Sequence, residues 1–136
     1  MDFISNSPAE TEKLAKKFIK NFPDTVLVGL SGDLGSGKTA FVKGLSKALG
    51  IKKNVTSPTF VIEKIYQGKS RQLIHIDAYR LSTESDLQTI GFYEFIHNPK
   101  NIIVIEWPEK VFSKIPERMR IIKFSYVDEN KRKINW

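Results

Sequence analysis

Residues 32–39 read Gly-Asp-Leu-Gly-Ser-Gly-Lys-Thr and match the pattern G-x-x-x-x-G-K-[ST] of phosphate-binding loops. Glycines in such a loop allow successive backbone N–H groups to converge on phosphate oxygens. The ammonium group of Lys38 supplies positive charge for the β- and γ-phosphates, and the hydroxyl of Thr39 is suited to bind Mg²⁺. The octet therefore predicts a site for a nucleoside triphosphate with Mg²⁺, built from Asp33, Leu34, Gly35, Ser36, Gly37, Lys38 and Thr39.

The motif is informative only if the loop follows a strand and opens a helix. Residues 25–31 are mostly apolar with β-branched side chains, as expected of a strand that is buried on both faces. Downstream, Phe41, Leu45 and Leu49 recur at helical spacing before Gly50, a favourable residue just after a helix end. The predicted helix therefore points its N-terminus at the loop, where a triphosphate is stabilised.

Residues 35–40 also fit the dinucleotide-binding pattern G-x-G-x-x-G/A. That pattern requires an acidic residue about 20 positions later to bind the ribose. No Asp or Glu occurs between Asp33 and Glu63, so the dinucleotide interpretation is excluded.

Two carboxylates follow apolar runs that resemble buried strands. Residues 73–77 end in Asp77 and residues 102–106 end in Glu106. Ligands of open α/β sheets bind at the carboxyl ends of the strands, and a phosphate-binding loop requires a carboxylate there for Mg²⁺ or its waters. We expect Glu106 to serve Mg²⁺ and Asp77 to orient or deprotonate the attacking water, although the two roles could be exchanged.

The polar loop of residues 55–60 lies where nucleotide switches place a hydroxyl that senses the γ-phosphate. Thr59 is the first choice for this role, with Thr56 and Ser57 as alternatives. A plain Ser-Pro turn explains the same residues equally well.

The chain of 136 residues has room for one domain. Its 40% of hydrophobic residues is enough to form a core. It has no apolar run of membrane-spanning length, and its zero cysteines are compatible with a reducing, cytoplasmic location. The two isolated histidines make a zinc site improbable.

The formal charge of +7 is concentrated in residues 38–53 and 131–133. These lysine clusters could bind RNA or an acidic protein, but a solvated surface is favoured because no aromatic residues interleave with them.

The remaining patterns predict the elements that position the loop. Ser7, Pro8 and Glu10 indicate a capped helix start, and the helix should end before Pro23 and pack on the sheet. Two strands joined by a turn are predicted at 61–66 and 72–77, followed by helical segments within 83–95 that are broken at Gly91. A buried strand is predicted at 102–106 and a closing pair of strands at 118–127 and 131–136. Residues 1–136 are thus predicted to form a single-domain α/β P-loop NTPase with a central, mostly parallel sheet flanked by helices.

Four sequence blocks, taken together, resemble one family. Gly-Asp-Leu-Gly-Ser-Gly-Lys-Thr is followed by Val-Thr-Ser-Pro-Thr-Phe, His-Ile-Asp-Ala-Tyr-Arg-Leu and Ile-Glu-Trp-Pro-Glu-Lys, in this order between residues 32 and 110. This series is similar to the small bacterial ATPase family TsaE (YjeE), which serves tRNA threonylcarbamoyladenosine biosynthesis. The resemblance implies an ATPase that is weak alone and works with a TsaB–TsaD heterodimer, in which TsaD modifies the adenosine beside the anticodon.

The same resemblance implies roles for individual residues. Thr39 and Glu106 would bind Mg²⁺, Asp77 would be needed for hydrolysis, Trp107 would lie beside the site, and Thr11 would contact the adenine region. Lys38, Asp77 and Glu106 are then the predicted catalytic residues, ATP and Mg²⁺ the cofactors, and tRNA an indirect partner through the complex. Neither a membrane nor DNA is expected as a partner.

Three other functions are compatible with a phosphate-binding loop. A small nucleoside or nucleotide kinase would need several lid arginines, whereas only Arg80 adjoins an acidic site motif. A GTPase would carry Asn-Lys-x-Asp, and residues 130–133 lack the Asp. A non-catalytic, nucleotide-gated binding module stays an alternative of a different class, and it would bind ATP without turnover.

Overall fold

A seven-stranded β-sheet organises the fold in the computed structural model, which describes residues 1–56 and 62–136. The strands are β1 Asp2–Ser5, β2 Leu27–Ser31, β3 Glu63–Gln67, β4 Gln72–Asp77, β5 Asn101–Glu106, β6 Arg120–Tyr126 and β7 Arg132–Asn135. The α-helices are α1 Pro8–Asn21, α2 Lys38–Ala48, α3 Glu84–Thr89 and α4 Phe92–Phe95, and a 3₁₀ turn covers Pro108–Lys110. Among these described residues no helix has both the length and the apolar character needed to cross a membrane.

The strand order is β1-β7-β6-β2-β5-β4-β3. Strands β6, β2, β5 and β4 are parallel to one another, and β3 and β7 pair antiparallel with their neighbours. This confirms the predicted α/β fold with a mostly parallel central sheet. Strand β1, which pairs antiparallel with β7, was not predicted, because its four residues carry too little pattern to be recognised without their partner strand.

Two apolar layers enclose the sheet. Helices α1 and α2 cover one face, where Phe18, Phe41 and Leu45 are fully buried against the strands. Helices α3 and α4 cover part of the other face around Leu87 and Phe92. Strand β5, between β2 and β4, is buried along its whole length, as predicted, because both layers contact it.

Helix α1 begins as predicted, but its cap differs in detail. The Ser7 hydroxyl accepts a hydrogen bond from the Glu10 N–H at 3.1 Å, and Pro8 occupies the first turn. The Glu10 carboxylate accepts from the N–H of Asn6, at 2.6 Å, where a full capping box would use that of Ser7. Helix α1 packs on the sheet, as predicted, and its beginning at Pro8 and Thr11 lies close to the phosphate-binding loop at the carboxyl end of β2.

Helix α1 packs closely on α2 at Gly44. A Cβ atom there would lie 2.4 Å from the Glu12 carbonyl oxygen and 2.7 Å from the Ala15 Cβ, so only glycine allows this approach. The predicted β3–β4 hairpin, the helix break at Gly91 (φ +83°) and the β6–β7 pair are all confirmed within the described residues. Val61, which was predicted to begin the first hairpin strand, lies outside them.

Candidate nucleotide-binding site

A cavity of about 820 Å³ lies at the carboxyl ends of β2, β4 and β5. Two backbone hydrogen bonds hold these three strand ends together, from Trp107 N–H to Leu30 O at 3.1 Å and from Ala78 N–H to Glu106 O at 3.0 Å. The cavity wall includes nine of the predicted site residues: Thr11, Leu34, Gly35, Gly37, Lys38, Thr39, Asp77, Glu106 and Trp107. Side chains that are distant in the sequence therefore meet in one space of the size of a ligand pocket.

Of the other three predicted residues, two do not line this cavity and one lies outside the described residues. Asp33 is exposed on the loop, and its carbonyl oxygen accepts a hydrogen bond from the Ser36 N–H at 3.1 Å. Ser36 is buried beneath the loop. Thr59 and its alternative Ser57 lie outside the described residues, while the other alternative, Thr56, accepts a hydrogen bond from Lys64 Nζ at 2.6 Å.

The phosphate-binding loop connects β2 directly to α2. Gly37 precedes the helix at φ +102°, a conformation that residues with a side chain rarely adopt. Gly32 lies against β6, where a Cβ atom would approach the Phe124 carbonyl oxygen to 2.6 Å. Since the first N–H groups of a helix have no partner within it, the start of α2 faces the cavity with free donors and a positive dipole end.

Lys38 is folded into the site by two contacts. Its ammonium donates to the carbonyl oxygen of Gly32 and lies 4.1 Å from the centre of the Trp107 ring. Burial lowers the pKa of Lys38, and the nearby carboxylates, with Glu106 and Asp77 foremost, oppose that shift. An anionic ligand in the cavity would stabilise the charged form further.

Asp77 and Glu106 are direct neighbours in the parallel pairing of β4 with β5. Their side chains lie on the same face of the sheet, because residues paired in register share a face. Glu106 is buried, and its Oε2 lies 2.9 Å from Nε2 of the fully buried His75. Asp77 accepts a hydrogen bond from the Tyr79 N–H at 3.0 Å. His75 looks isolated in the sequence, although its position two residues before Asp77 places it on the same strand face.

Trp107 turns the chain sharply after β5. With φ 59° it is the one non-glycine residue of the described ranges in the left-handed region, a conformation that costs about 1–3 kcal/mol. The turn places its ring between Lys38 and Tyr79, whose ring centre is 5.3 Å from that of Trp107. The strain therefore coincides with an aromatic wall of the cavity.

The opposite wall comes from the start of α1 and the turn between β6 and β7. Thr11 is buried there, and its hydroxyl lies 2.7 Å from that of Ser5 on β1. Arg132 lines the cavity and donates from Nε to the carbonyl oxygen of Gly35 at 3.0 Å. In the sequence Arg132 belongs to the basic cluster 131–133, but its neighbour Lys133 points elsewhere and pairs with Asp2 at 3.3 Å.

The oxygen ligands at the wall of this cavity fit a Mg²⁺ ion that is bound together with a triphosphate. Thr39 and Glu106 offer hydroxyl and carboxylate oxygens at its wall, which are the ligand types that Mg²⁺ prefers. No group of three or more His, Cys, Asp or Glu residues that could hold a metal occurs within residues 1–56 and 62–136. With Thr39 and Glu106 as protein ligands, Mg²⁺ would take its remaining ligands from phosphates and water.

Comparisons with known proteins identify the family and the fold. The model of the family described as "Threonylcarbamoyl adenosine biosynthesis protein TsaE" matches residues 5–134. Two proteins named "tRNA threonylcarbamoyladenosine biosynthesis protein TsaE" are similar. The one from Treponema pallidum is 36% identical over 134 residues, covering 98% of each chain. The one from Bacillus subtilis is 40% identical over 120 residues, covering 85% of this chain and 72% of its own. A solved structure, the crystal structure of Bacillus subtilis YdiB, aligns with a TM-score of 0.73 at 28% identity over 98% of this chain and 82% of its own.

Proposed function

The chain belongs to the TsaE family of tRNA threonylcarbamoyladenosine biosynthesis, and from this membership we propose that it is an ATPase. It hydrolyses Mg-ATP in the cavity described above and so supports the transfer of a threonylcarbamoyl group to the adenosine beside the anticodon of tRNA. Its turnover is weak alone and depends on a TsaB–TsaD complex. A cytoplasmic location, where tRNA is modified, is part of the proposal.

One observation supports the ATPase above all. The pairing of β4 with β5 places Asp77 beside Glu106 in the same cavity as Lys38 of the phosphate-binding loop. A binding module needs the loop to hold phosphates, but hydrolysis also needs a carboxylate that can act on water. The site has a loop lysine and two acids, as expected of a hydrolase.

Each residue has a distinct role in the proposed reaction. Lys38 leaves the Trp107 ring and binds the β- and γ-phosphates, which the N–H groups of the loop also hold. Asp77 orients the water that attacks the γ-phosphorus and takes up its proton as the bond to the β–γ bridging oxygen breaks. Thr39 and Glu106 would hold Mg²⁺, which when bound neutralises charge on the phosphates. The products are ADP and phosphate.

We propose that the free energy of ATP hydrolysis drives a conformational change in a partner protein. We assign the tRNA-modifying site to a partner protein, because the residues that line this cavity are those proposed to hold and hydrolyse the nucleotide. We propose that this partner is the TsaB–TsaD complex and that the chain interacts with tRNA only indirectly, through that complex. A loop that the γ-phosphate orders and hydrolysis releases is the common device for such coupling.

Phosphate release from ATP and GTP, measured with and without purified TsaB–TsaD, tests the proposal. We expect release from ATP that the partners accelerate, and loss of that release in the Asp77→Asn variant. Tight ATP binding without turnover, even with the partners present, would instead support the nucleotide-gated binding module. Phosphate transfer to an added nucleoside or nucleotide would support the kinase.

A further inference from the structure

The buried contact between His75 and Glu106 lies behind the cavity wall, and the proposed chemistry does not use the histidine. His75 is 0% exposed and Glu106 is 5% exposed. The Nε2 atom of His75 lies 2.9 Å from Oε2 of Glu106. His75 lies between the fully buried residues Ile74 and Ile76, and burying a polar side chain is costly unless it makes a hydrogen bond.

We propose that His75 is a positioning residue that fixes the Glu106 carboxylate for Mg-ATP. Its Nε2–H donates to Oε2, which leaves the second carboxylate oxygen of Glu106 for the cavity. This role rests on the proposed function, because only a nucleotide with its Mg²⁺ gives the orientation of Glu106 a purpose.

The surroundings of the ring indicate which nitrogen carries the hydrogen. Nδ1 of His75 is buried and has no hydrogen-bond partner among the residues that the structure describes. A hydrogen on Nδ1 would therefore be a buried donor without an acceptor, whereas a hydrogen on Nε2 meets a carboxylate oxygen. The hydrogen bond to Glu106 thus selects the Nε2–H form of the ring.

This contact restrains a side chain that would otherwise have several rotamers. Glu106 is the last residue of β5, and Trp107 after it turns the chain away, so the backbone alone does not orient the carboxylate. His75 lies in the middle of β4, which pairs with β5 on one side and β3 on the other and provides a rigid support. Residues that orient a metal ligand in this way typically change metal affinity or activity by about 10- to 100-fold when they are replaced.

Three variants separate positioning from packing. In H75Q the side-chain amide nitrogen can reach the place of Nε2, in H75N it ends near the place of Nδ1, and H75L has no donor. We expect H75N and H75L to need about tenfold or more Mg²⁺ for half-maximal ATP turnover, while H75Q stays close to the parent. Affinity for a fluorescent ATP analogue in the absence of Mg²⁺ should be the same in all variants that fold, as judged by thermal unfolding. Equal Mg²⁺ requirements for H75Q and H75L would overturn the proposal.

A measurement on the parent protein needs neither folded variants nor turnover. NMR of the ring nitrogens, without nucleotide or metal, should show the hydrogen of His75 on Nε2. A hydrogen found only on Nδ1 would overturn the positioning role even if ATP hydrolysis were established. Failure of the parent to bind Mg-ATP would overturn the proposed function, and the role of His75 with it, while the same spectrum would still decide whether the hydrogen bond exists.

Discussion

Replacing Lys38 with methionine removes the ammonium group and keeps most of the length of the buried side chain. A hydrogen bond to a charged group contributes about 1.5–3 kcal/mol, which corresponds to about 10- to 150-fold in Kd. The Lys38 ammonium already contacts the Gly32 carbonyl oxygen and the Trp107 ring, however, and these contacts compete with binding to phosphate. Giving up a cation–π contact of about 0.5–2 kcal/mol reduces the net gain on binding phosphate to about 1 kcal/mol at the middle of the two ranges, so we expect Kd to rise about fivefold.

The assay is a titration of a fluorescent ATP analogue in the presence of Mg²⁺. Lys52→Met is the matched control, because it removes the same charge from an exposed position outside the cavity. Its effect on Kd measures the long-range contribution of net charge, which is then subtracted. A Lys38→Met variant that binds the analogue as tightly as Lys52→Met would refute the assignment of this loop to a nucleotide.

Further predictions concern the acids, the partner and the stability of the fold. Glu106→Gln should raise the Mg²⁺ concentration for half-maximal turnover, while Asp77→Asn should lower turnover with Mg-ATP affinity nearly intact; the reverse pattern would exchange their roles. Binding to TsaB–TsaD, measured by calorimetry, should be tighter with a non-hydrolysable ATP analogue than without nucleotide, and by linkage the partners should tighten ATP binding by the same factor. Equal affinity in all nucleotide states would contradict the switch. Gly44→Ala should lower the free energy of unfolding in urea, because overpacking against Glu12 costs about 1–3 kcal/mol and the gain in helix propensity is only about 1 kcal/mol; a more stable variant would argue against close helix packing. Because burial lowers the pKa of Lys38, the unfolded chain binds more protons than the folded chain as the pH rises towards the ordinary lysine value, and stability increases there. Lys38→Met should therefore show a smaller rise in unfolding free energy than the parent between about pH 8 and pH 10.

The local elements of the site could be predicted because their signals are local. The octet 32–39, the apolar run before it and the spacing of Phe41 and Leu45 after it define strand, loop and helix within a single stretch of chain. The helix break at Gly91 is equally local, since a left-handed backbone conformation there favours glycine. The carboxylates Asp77 and Glu106 were found because each ends an apolar strand.

Contacts across the sheet depended on the strand order, which no single stretch of sequence contains. Strand β1 was missed because four residues acquire a strand pattern only when β7 pairs with them. Arg132 looks like a surface charge in the sequence, because its contact with Gly35 joins residues that are far apart in the chain.

The sequence by itself determined the chemistry that is available: a phosphate-binding loop, two strand-end acids and the family blocks that contain them. The tertiary structure alone decided that β4 lies beside β5, so that Asp77 and Glu106 are neighbours and His75 reaches Glu106 from behind. The physical reason is that periodicity and turn residues specify the local backbone, whereas the order of strands follows from burying both faces of the sheet at once. A histidine that looks isolated in the sequence acquires a partner only when that burial brings two strands together.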